Sequence, residues 1–389
     1  MKFTRVGLMA ILALSGAVAD GSSSKITGEA RLFYGTTDGG DGDLLDKGSS
    51  YGDSAFNIRY QRGVKDGVTI NAGVTGVSTL GLENDLVSAT WVDHDGGVDD
   101  VVWIDTANIQ IDAGKTTFIV GRQQLDTPFF KSETWNIAPN TFDAAVAVNS
   151  NIPDTKIIGA WVGRGNGEGG YVVRAKNIGG GMHAFTEANK PAYAFGLINE
   201  SIPNTTMQGW YYNIPTVATA YWVQADAKIA NGLSLGLQYA GAEAEVEDDG
   251  SNAFGVKVGY ESDMVSAYGA YSKRNDEGAI DVSNIATGHG ASQSSLYTEA
   301  WWNYGFVGSN DASSIAVGAN FNAGVADLGL QYVTVDTGDN ENDMSEIALT
   351  LEKEVGPLNA TVAFINTDAD DDAIDGNTLQ IYLTAPFSL

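Results

Sequence analysis

Along most of the chain, apolar side chains occupy every second position, which is the period of a β-strand rather than that of a helix. In the first such run, Ile26, Ala30 and Leu32 fall on one face, while the intervening positions are mostly polar or charged. Comparable runs follow at residues 56–61, 233–239, 253–260, 315–321, 328–332, 347–351, 358–364 and 379–389. The whole sequence predicts about eighteen segments of roughly ten residues, the length of a tilted strand that crosses a membrane.

The connections between these segments are of two kinds. Short turns rich in Gly, Asn and Asp, as in tight hairpins, lie at residues 65–67, 112–114, 230–232 and 261–263. Long, acidic, glycine-rich connections lie at residues 36–53, 243–252, 274–294 and 366–377. Short turns on one side and long loops on the other are typical of an outer-membrane barrel. We therefore predict an all-β fold, a transmembrane antiparallel β-barrel.

A soluble β-sandwich is the main alternative to this fold. Its polar faces would meet bulk water and carry many charges, whereas here the polar faces are mostly Ser, Thr, Gly, Asn and Gln, and the acids concentrate in the loops. This distribution favours a water-filled lumen. Tyr239, Tyr260 and Trp222 lie in these segments, and we expect them in the aromatic girdles at the membrane interfaces.

Composition narrows the function further. The 389 residues include 49 acidic and 21 basic side chains, for a formal charge of −28, and no cysteine. Disulfides, thiolate metal sites and cysteine nucleophiles are therefore excluded. A nucleic-acid partner is disfavoured, because phosphate backbones are bound by clustered Lys and Arg.

The N-terminus has the three parts of a secretory signal. Lys2 and Arg5 precede an apolar run, and small residues at 17–19 suit cleavage before Asp20. We predict a signal peptide at residues 1–19 and a single outer-membrane barrel domain at residues 20–389. The predicted location is the bacterial outer membrane.

Residues 121–155 interrupt the alternation. They leave a strand and enter a long connection that carries Phe129, Phe130 and Trp135. Long connections in compact folds are usually functional, and folding inward would bury these aromatic rings against the barrel wall. We predict that the loop at about residues 123–155 constricts the lumen.

In this stretch the sequence resembles a known family. Residues 121–129 read Gly-Arg-Gln-x-Leu-x-Thr-Pro-Phe and are followed by Pro-Asn-Thr-Phe at residues 139–142. This is similar to the constriction-loop region of the Opr-type outer-membrane porins, which include the OprD-like channels and the major outer-membrane porins of Campylobacter and its relatives. The resemblance implies an eighteen-stranded barrel, often trimeric, with an infolded loop. The chain departs from the common pattern by ending in Leu389 rather than Phe, although Phe387 keeps an aromatic ring on the same face.

The resemblance also implies a basic wall that faces an acidic loop at the narrowest point. The motif matches Arg122 as a lumen-lining cation and Asp126 as an acid of the loop, to which Glu133 and Asp143 also belong. Alternation alone places further cations on the polar face, namely Arg31, Arg59 and Arg174. A simpler alternative is that Arg122 and Asp126 pair with each other at the base of the loop. The resemblance also suggests calcium, for which Asp126, Glu133 and Asp143 are the candidate ligands, and no other cofactor is required.

Other chemistry finds little support. His94, His183 and His289 lack metal-ligand spacing, and no nucleophile or phosphate-binding motif stands out. The acids at residues 368–375 lack the closing glutamate of a calcium-binding EF-hand. We predict a porin rather than an enzyme, a channel for ions and small hydrophilic solutes that prefers cations. Its expected partners are outer-membrane lipid, lipopolysaccharide and two further copies of the chain. A surface adhesin with long acidic loops, or a barrel enzyme, remains an alternative.

Overall fold

The computed structural model describes residues 24–40, 42–88, 100–135, 137–166, 181–184, 190–245, 249–287, 292–338, 343–372 and 374–389. The predicted signal peptide, and also Arg174, His94 and His289, lie outside the described residues. The signal peptide and the boundary of the barrel domain at residue 20 stay predictions.

The described residues form eighteen strands in one sheet. They are β1 Ser24–Thr37, β2 Ser50–Lys65, β3 Val68–Ser78, β4 Val101–Ala113, β5 Thr116–Gln123, β6 Phe142–Asn149, β7 Thr155–Gly165, β8 Ala192–Asn199, β9 Thr205–Ile214, β10 Ala218–Lys228, β11 Leu233–Ala244, β12 Ser251–Glu261, β13 Val265–Arg274, β14 Ser313–Asn322, β15 Asp327–Asp336, β16 Met344–Val355, β17 Leu358–Ala369 and β18 Gly376–Ser388.

The sheet closes on itself. Each strand pairs antiparallel with the next, and β1 pairs with both β2 and β18, with Ala30 opposite Ala385 at the seam. Beyond the last strand, the Leu389 amide donates to the Ile26 carbonyl at 2.8 Å. Closure gives the edge strands partners, which a sheet surrounded by hydrocarbon requires. The predicted eighteen-stranded antiparallel barrel is confirmed.

The connections alternate in length as predicted. After each even-numbered strand the chain turns tightly, and Gly67 and Asn231 there adopt the left-handed conformation, with φ of 72° and 53°. Gly and Asn tolerate positive φ, so such turns recur at this rim. Most odd-numbered strands lead instead into longer loops. The connection from β9 to β10 is an exception, since it spans only residues 215–217.

The two faces of the wall differ in polarity. Side chains that point outward are large, apolar and exposed, including Phe56, Ile58, Leu233, Leu235, Leu237, Tyr239, Phe254, Tyr260, Ile315, Val317, Leu328, Leu330, Tyr332, Ile347 and Leu349. Inward positions carry small and polar groups such as Asn71, Thr75 and Gln238. Trp222 was expected in the outer girdle, but it is only 1% exposed and points inward. The exterior is the surface that hydrocarbon requires.

Helical structure is minor among the described residues. It consists of short 3₁₀ turns at Lys47–Ser49, Leu82–Asn84, Ile285–Thr287 and Phe306–Gly308. Within the described part of the chain, no helix has the length and apolar character needed to cross a membrane.

Candidate pore site

Among the described residues, those of two connections fold into the barrel. The first loop, residues 124–141, joins β5 to β6, and the second loop, residues 275–312, joins β13 to β14. Both connections leave the rim that carries the long loops, and both bury apolar side chains against the inner wall. The sequence predicts an infolded loop that extends to about residue 155. The loop ends before Phe142, because Phe142 and the alternating Ala and Val residues that follow form β6.

One end of the first loop is anchored by aromatic rings. The Phe129 ring meets Tyr212 of β9 and Trp222 of β10 edge-on, with centroids 5.5 and 5.9 Å apart. Phe130 contacts Tyr212 in the same manner at 5.3 Å. Edge-to-face contacts of this kind stabilise beyond the area they bury. This part of the loop therefore lies against the wall formed by β9 and β10.

The other end of the first loop reaches a different part of the wall. Ile137 and Ala138 are buried in a cluster with Phe33 of β1 and Tyr51 of β2. In the barrel, β1 and β2 are several strands away from β9 and β10. The first loop therefore extends from one part of the inner wall to another.

The second loop is held by a carboxylate on the wall. Backbone amides of Trp301, Trp302 and Asn303 donate to the Glu346 carboxylate of β16, at 2.8, 3.1 and 2.8 Å. Three amides can satisfy a buried carboxylate that water cannot reach. Residues 274–294 were predicted to be an external loop. That prediction is wrong for Val282 and Asn284, which belong to this stretch and are buried inside the lumen.

Tyr297 links the second loop to the part of the wall formed by β10 and β11. Its hydroxyl donates to Asp226 of β10 at 2.7 Å, and its amide donates to Gln238 of β11 at 3.0 Å. The Lys257 ammonium lies over the Tyr297 ring, 4.2 Å from its centroid. The second loop therefore contacts strands on widely separated parts of the barrel.

The two loops bind each other through buried polar groups, which we call the inter-loop clasp: Lys131 and Glu133 of the first loop, and Asn284 and Ser294 of the second. The Asn284 amide accepts from the Lys131 backbone N–H at 3.1 Å, and donates to the Lys131 carbonyl at 3.1 Å and to the Glu133 carboxylate at 3.0 Å. The Lys131 ammonium donates to the Ser294 carbonyl at 2.8 Å. Such buried networks stabilise one arrangement strongly when their members are satisfied.

Burial shifts the ionisation of the loop residues. It lowers the pKa of the Lys131 ammonium and raises the pKa of the Asp126 carboxyl, with the charge of each partly offsetting the shift of the other. Burial also raises the pKa of Glu299 to about 7, although amides of Gly305, Ser294 and Ala300 favour its charged form. Desolvation therefore outweighs hydrogen bonding at Glu299.

Two of the predicted site residues lie on the inward face. Arg31 pairs with Glu29 at 2.7 Å, and the Arg59 guanidinium lies 3.7 Å from the Asp105 carboxylate. Inward orientation follows from register, because Arg31 is opposite the buried Ala55. The cations on this part of the wall are therefore paired with acids of the wall itself.

The predicted position of Arg122 and Asp143 in the lumen is wrong. Arg122 shares the face of β5 that exposes Phe118 and Val120, so it points away from the lumen. It pairs with Asp143 of β6, also on the outward face, through Nε and Oδ1 at 2.9 Å. Sequence reasoning expected both in the lumen, whereas it is their neighbour Gln123 that points inward. The alternative pairing of Arg122 with Asp126 is not formed either.

The candidate calcium ligands are not brought together. Asp143 is on the outer surface, Glu133 is buried in the inter-loop clasp, and Asp126 forms an isolated β-bridge with Lys131. Among the described residues there is no group of three or more His, Asp or Glu side chains that could hold a metal ion. Calcium binding stays an untested prediction.

The contribution of the second loop was missed at the sequence level. Its signal is the run Trp301-Trp302-Asn303-Tyr304, an aromatic density that a solvated loop does not need. Glu346 gave no comparable signal, since one acid on the polar face of a strand is unremarkable without knowledge of the loop above it.

Similarity to solved structures agrees with this architecture. OccK8 (OprE) of Pseudomonas aeruginosa aligns with a TM-score of 0.75 and 15% identity, covering 94% of this chain and 98% of that chain. P. aeruginosa OpdK with vanillate gives 0.76 and 13%, covering 94% and 99%, and Acinetobacter baumannii OccAB1 gives 0.73 and 14%, covering 96% and 99%. The chain has the fold of the Opr- and Occ-type proteins. No protein-family model and no curated protein matches the sequence.

The predicted resemblance is therefore confirmed at the level of the fold, which is that of a multi-pass outer-membrane β-barrel. The candidate site is the part of the lumen where the first and second loops meet.

Proposed function

We propose that this chain forms a water-filled diffusion channel in the bacterial outer membrane for ions and small hydrophilic solutes, and that it is not an enzyme. The observation that carries this proposal is the opposite polarity of the two faces of a closed wall. An apolar exterior suits lipid, and an interior with Asn71, Thr75, Arg59 and Asp105 suits water.

We further propose that the first loop, together with the second, narrows the passage. The contacts of Phe129 and Phe130 with β9 and β10, and those of Ile137 with β1 and β2, support a loop held across the lumen. The inter-loop clasp supports a fixed rather than a loose restriction, because each loop limits the movement of the other.

We also propose a preference for cations, which the excess of acidic side chains in the two loops supports. The first loop carries two acidic side chains and one basic side chain, and the second carries five acidic side chains and no Lys or Arg. A solute that passes the loops comes within about one Debye length, roughly 8 Å, of charges in the lumen, so salt screens these less than the charges of the external loops.

The test is single-channel recording in a planar bilayer under a KCl gradient. We expect discrete conductance steps and a reversal potential of the cation-selective sign. A reversal potential of the opposite sign contradicts the preference alone. A correctly folded barrel without conductance contradicts the channel and favours a surface protein that displays its loops. Chemical cross-linking in the membrane tests the trimer implied by the resemblance.

A further inference from the structure

A charged group lies on the outward face of the barrel, where the neighbouring side chains are apolar. It comprises Arg122 of β5, Asp143 of β6 and Arg164 of β7, which we call the outer triad. The register places these residues opposite one another on adjacent strands. The triad lies at the strand ends that lead into the long loops, and therefore at the external rim.

A β-bulge directs Arg164 onto this face. Asp143 is opposite Arg164 while Ala144 is opposite Val162, so Gly163 is an extra residue in β7. Without it, strict alternation from the exposed Trp161 would turn Arg164 inward. A methyl group on Gly163 would lie 2.6 Å from Cη2 of Trp161, so only glycine lets the indole cover this position. Bulges characteristically redirect a side chain in this way.

Asp143 holds both guanidinium groups in place. It accepts from Nε of Arg122 at 2.9 Å and from Nη2 of Arg164 at 2.7 Å. Arg122 also donates through Nη1 to the Ile104 carbonyl at 2.9 Å. The Arg164 side chain is 56% exposed, and Asp143 is its one partner in the described part of the chain. The triad therefore has a net positive charge and keeps N–H donors for an external acceptor.

The neighbours of the triad set its depth in the membrane. Trp161 and Tyr193 lie opposite each other on β7 and β8, both exposed on the outward face. Exposed Trp and Tyr side chains mark the level of the lipid headgroups. Arg164 lies just beyond Trp161 toward the rim. A guanidinium at this level is adjacent to headgroup phosphates, which it can bind with two parallel hydrogen bonds.

The geometry points to the outer triad as a binding site for the phosphate group of an outer-leaflet lipid, the phosphorylated glycolipid lipid A. Asp143 orients the two guanidinium groups, and Arg164 supplies most of the free donors. This site is separate from the lumen and does not depend on conductance. It depends on the barrel lying in a membrane.

The experiment uses the full barrel, purified in detergent and stripped of lipid. It is titrated with diphosphorylated lipid A, with dephosphorylated lipid A and with inorganic phosphate, and native mass spectrometry counts the bound molecules. We expect R122Q and R164Q to weaken binding of diphosphorylated lipid A about tenfold each, the loss typical of one charge-assisted hydrogen bond. The matched control is R62Q, an exposed outward arginine near the opposite rim, which should bind as the unmodified protein does.

The variant D143N distinguishes a phosphate-binding triad from one that only links the three strands, because it keeps the shape of the side chain at position 143 and both arginines. If the triad binds phosphate, D143N binds lipid A at least as tightly, since the amide oxygen still accepts a hydrogen bond from a guanidinium while the competing acceptor charge is gone. A loss equal to that of R164Q, or equal binding of the dephosphorylated lipid, overturns the proposal. Displacement of the lipid by an equal concentration of inorganic phosphate overturns the assignment to lipid. Conductance of R164Q in the same preparation reports separately on the channel.

Discussion

The inter-loop clasp and the outer triad are built from similar groups under opposite conditions. In the clasp, the Lys131 ammonium is enclosed, and it donates a hydrogen bond to a carbonyl of the other loop. In the triad, the Arg164 guanidinium is largely exposed and has one partner among the described residues. The first arrangement fixes two protein segments to each other, whereas the second leaves donors for a molecule from outside. Enclosure, more than the kind of charge, decides whether a cation stabilises the fold or offers a binding site.

The largest expected effect comes from breaking the aromatic anchor near the clasp. F129A removes the ring that contacts Tyr212 and Trp222, and a Phe to Ala change in a packed interior costs about 4 kcal/mol. We expect the first loop to detach and single-channel conductance to rise. F118A is the matched control, since Phe118 points outward on β5. Equal conductance of the two variants contradicts a restriction by the first loop.

The next effect depends on pH. Burial raises the pKa of Glu299 to about 7 from its ordinary 4.5. At a pH between these two values, the folded protein therefore retains a proton that the unfolded chain has already lost. This stability is present at low pH and is lost as the pH rises through 7. Between pH 5 and pH 8 the change is about 2.5 kcal/mol. Urea unfolding in lipid should show that E299Q lacks this part of the pH dependence. An identical pH profile for E299Q contradicts the burial of a titrating Glu299.

A smaller effect is expected from the clasp itself. N284A removes an amide that makes hydrogen bonds to Lys131, Glu133 and Ala286, and it leaves buried groups without partners, for a loss of about 2 kcal/mol. We expect a lower urea midpoint and a noisier open channel. N366A serves as control because Asn366 is exposed and bonds only Asn377 in the described residues. Unchanged noise in N284A would show that the two loops do not restrain each other.

The smallest effect is expected on the outer face. R122A should lower stability by about 1 kcal/mol, as loss of a partly exposed ion pair does, and should leave conductance and the reversal potential unchanged because the Arg122 side chain points to the exterior. R31A, on the inward face, is the contrasting variant and should shift the reversal potential toward stronger cation preference. A changed reversal potential in R122A would contradict the outward orientation.

Sequence alone predicts the barrel because alternation is a local property. The pattern around residues 233–239 marks the exposed face without knowledge of its partners, and turn residues such as Gly67 mark the hairpins. The prediction for Arg122 failed because it followed the family motif instead of the alternation. The family motif suggested a lumen-facing cation, but the residues before it, Phe118 and Val120, already indicated by alternation that Arg122 points outward.

The site was less accessible to sequence reasoning because its contacts join distant segments. The bonds between Lys131 and Asn284 link residues of two loops that no local pattern relates. The three amides around Glu346 likewise depend on where the second loop lies against β16. Short local signals, such as the aromatic run at residues 301–304, show that a segment is buried but not which surface buries it.

The positions at which the loops attach to the wall have a consequence for biogenesis. The first loop contacts β1 and β2 at one end and β9 and β10 at the other. These two attachment points face each other across the lumen only after the barrel has closed. We therefore expect insertion to pass through an open shell whose loops have not yet docked. Such an open shell would let far larger solutes pass than the mature protein does. The rate at which the loops dock would determine how long this leak lasts.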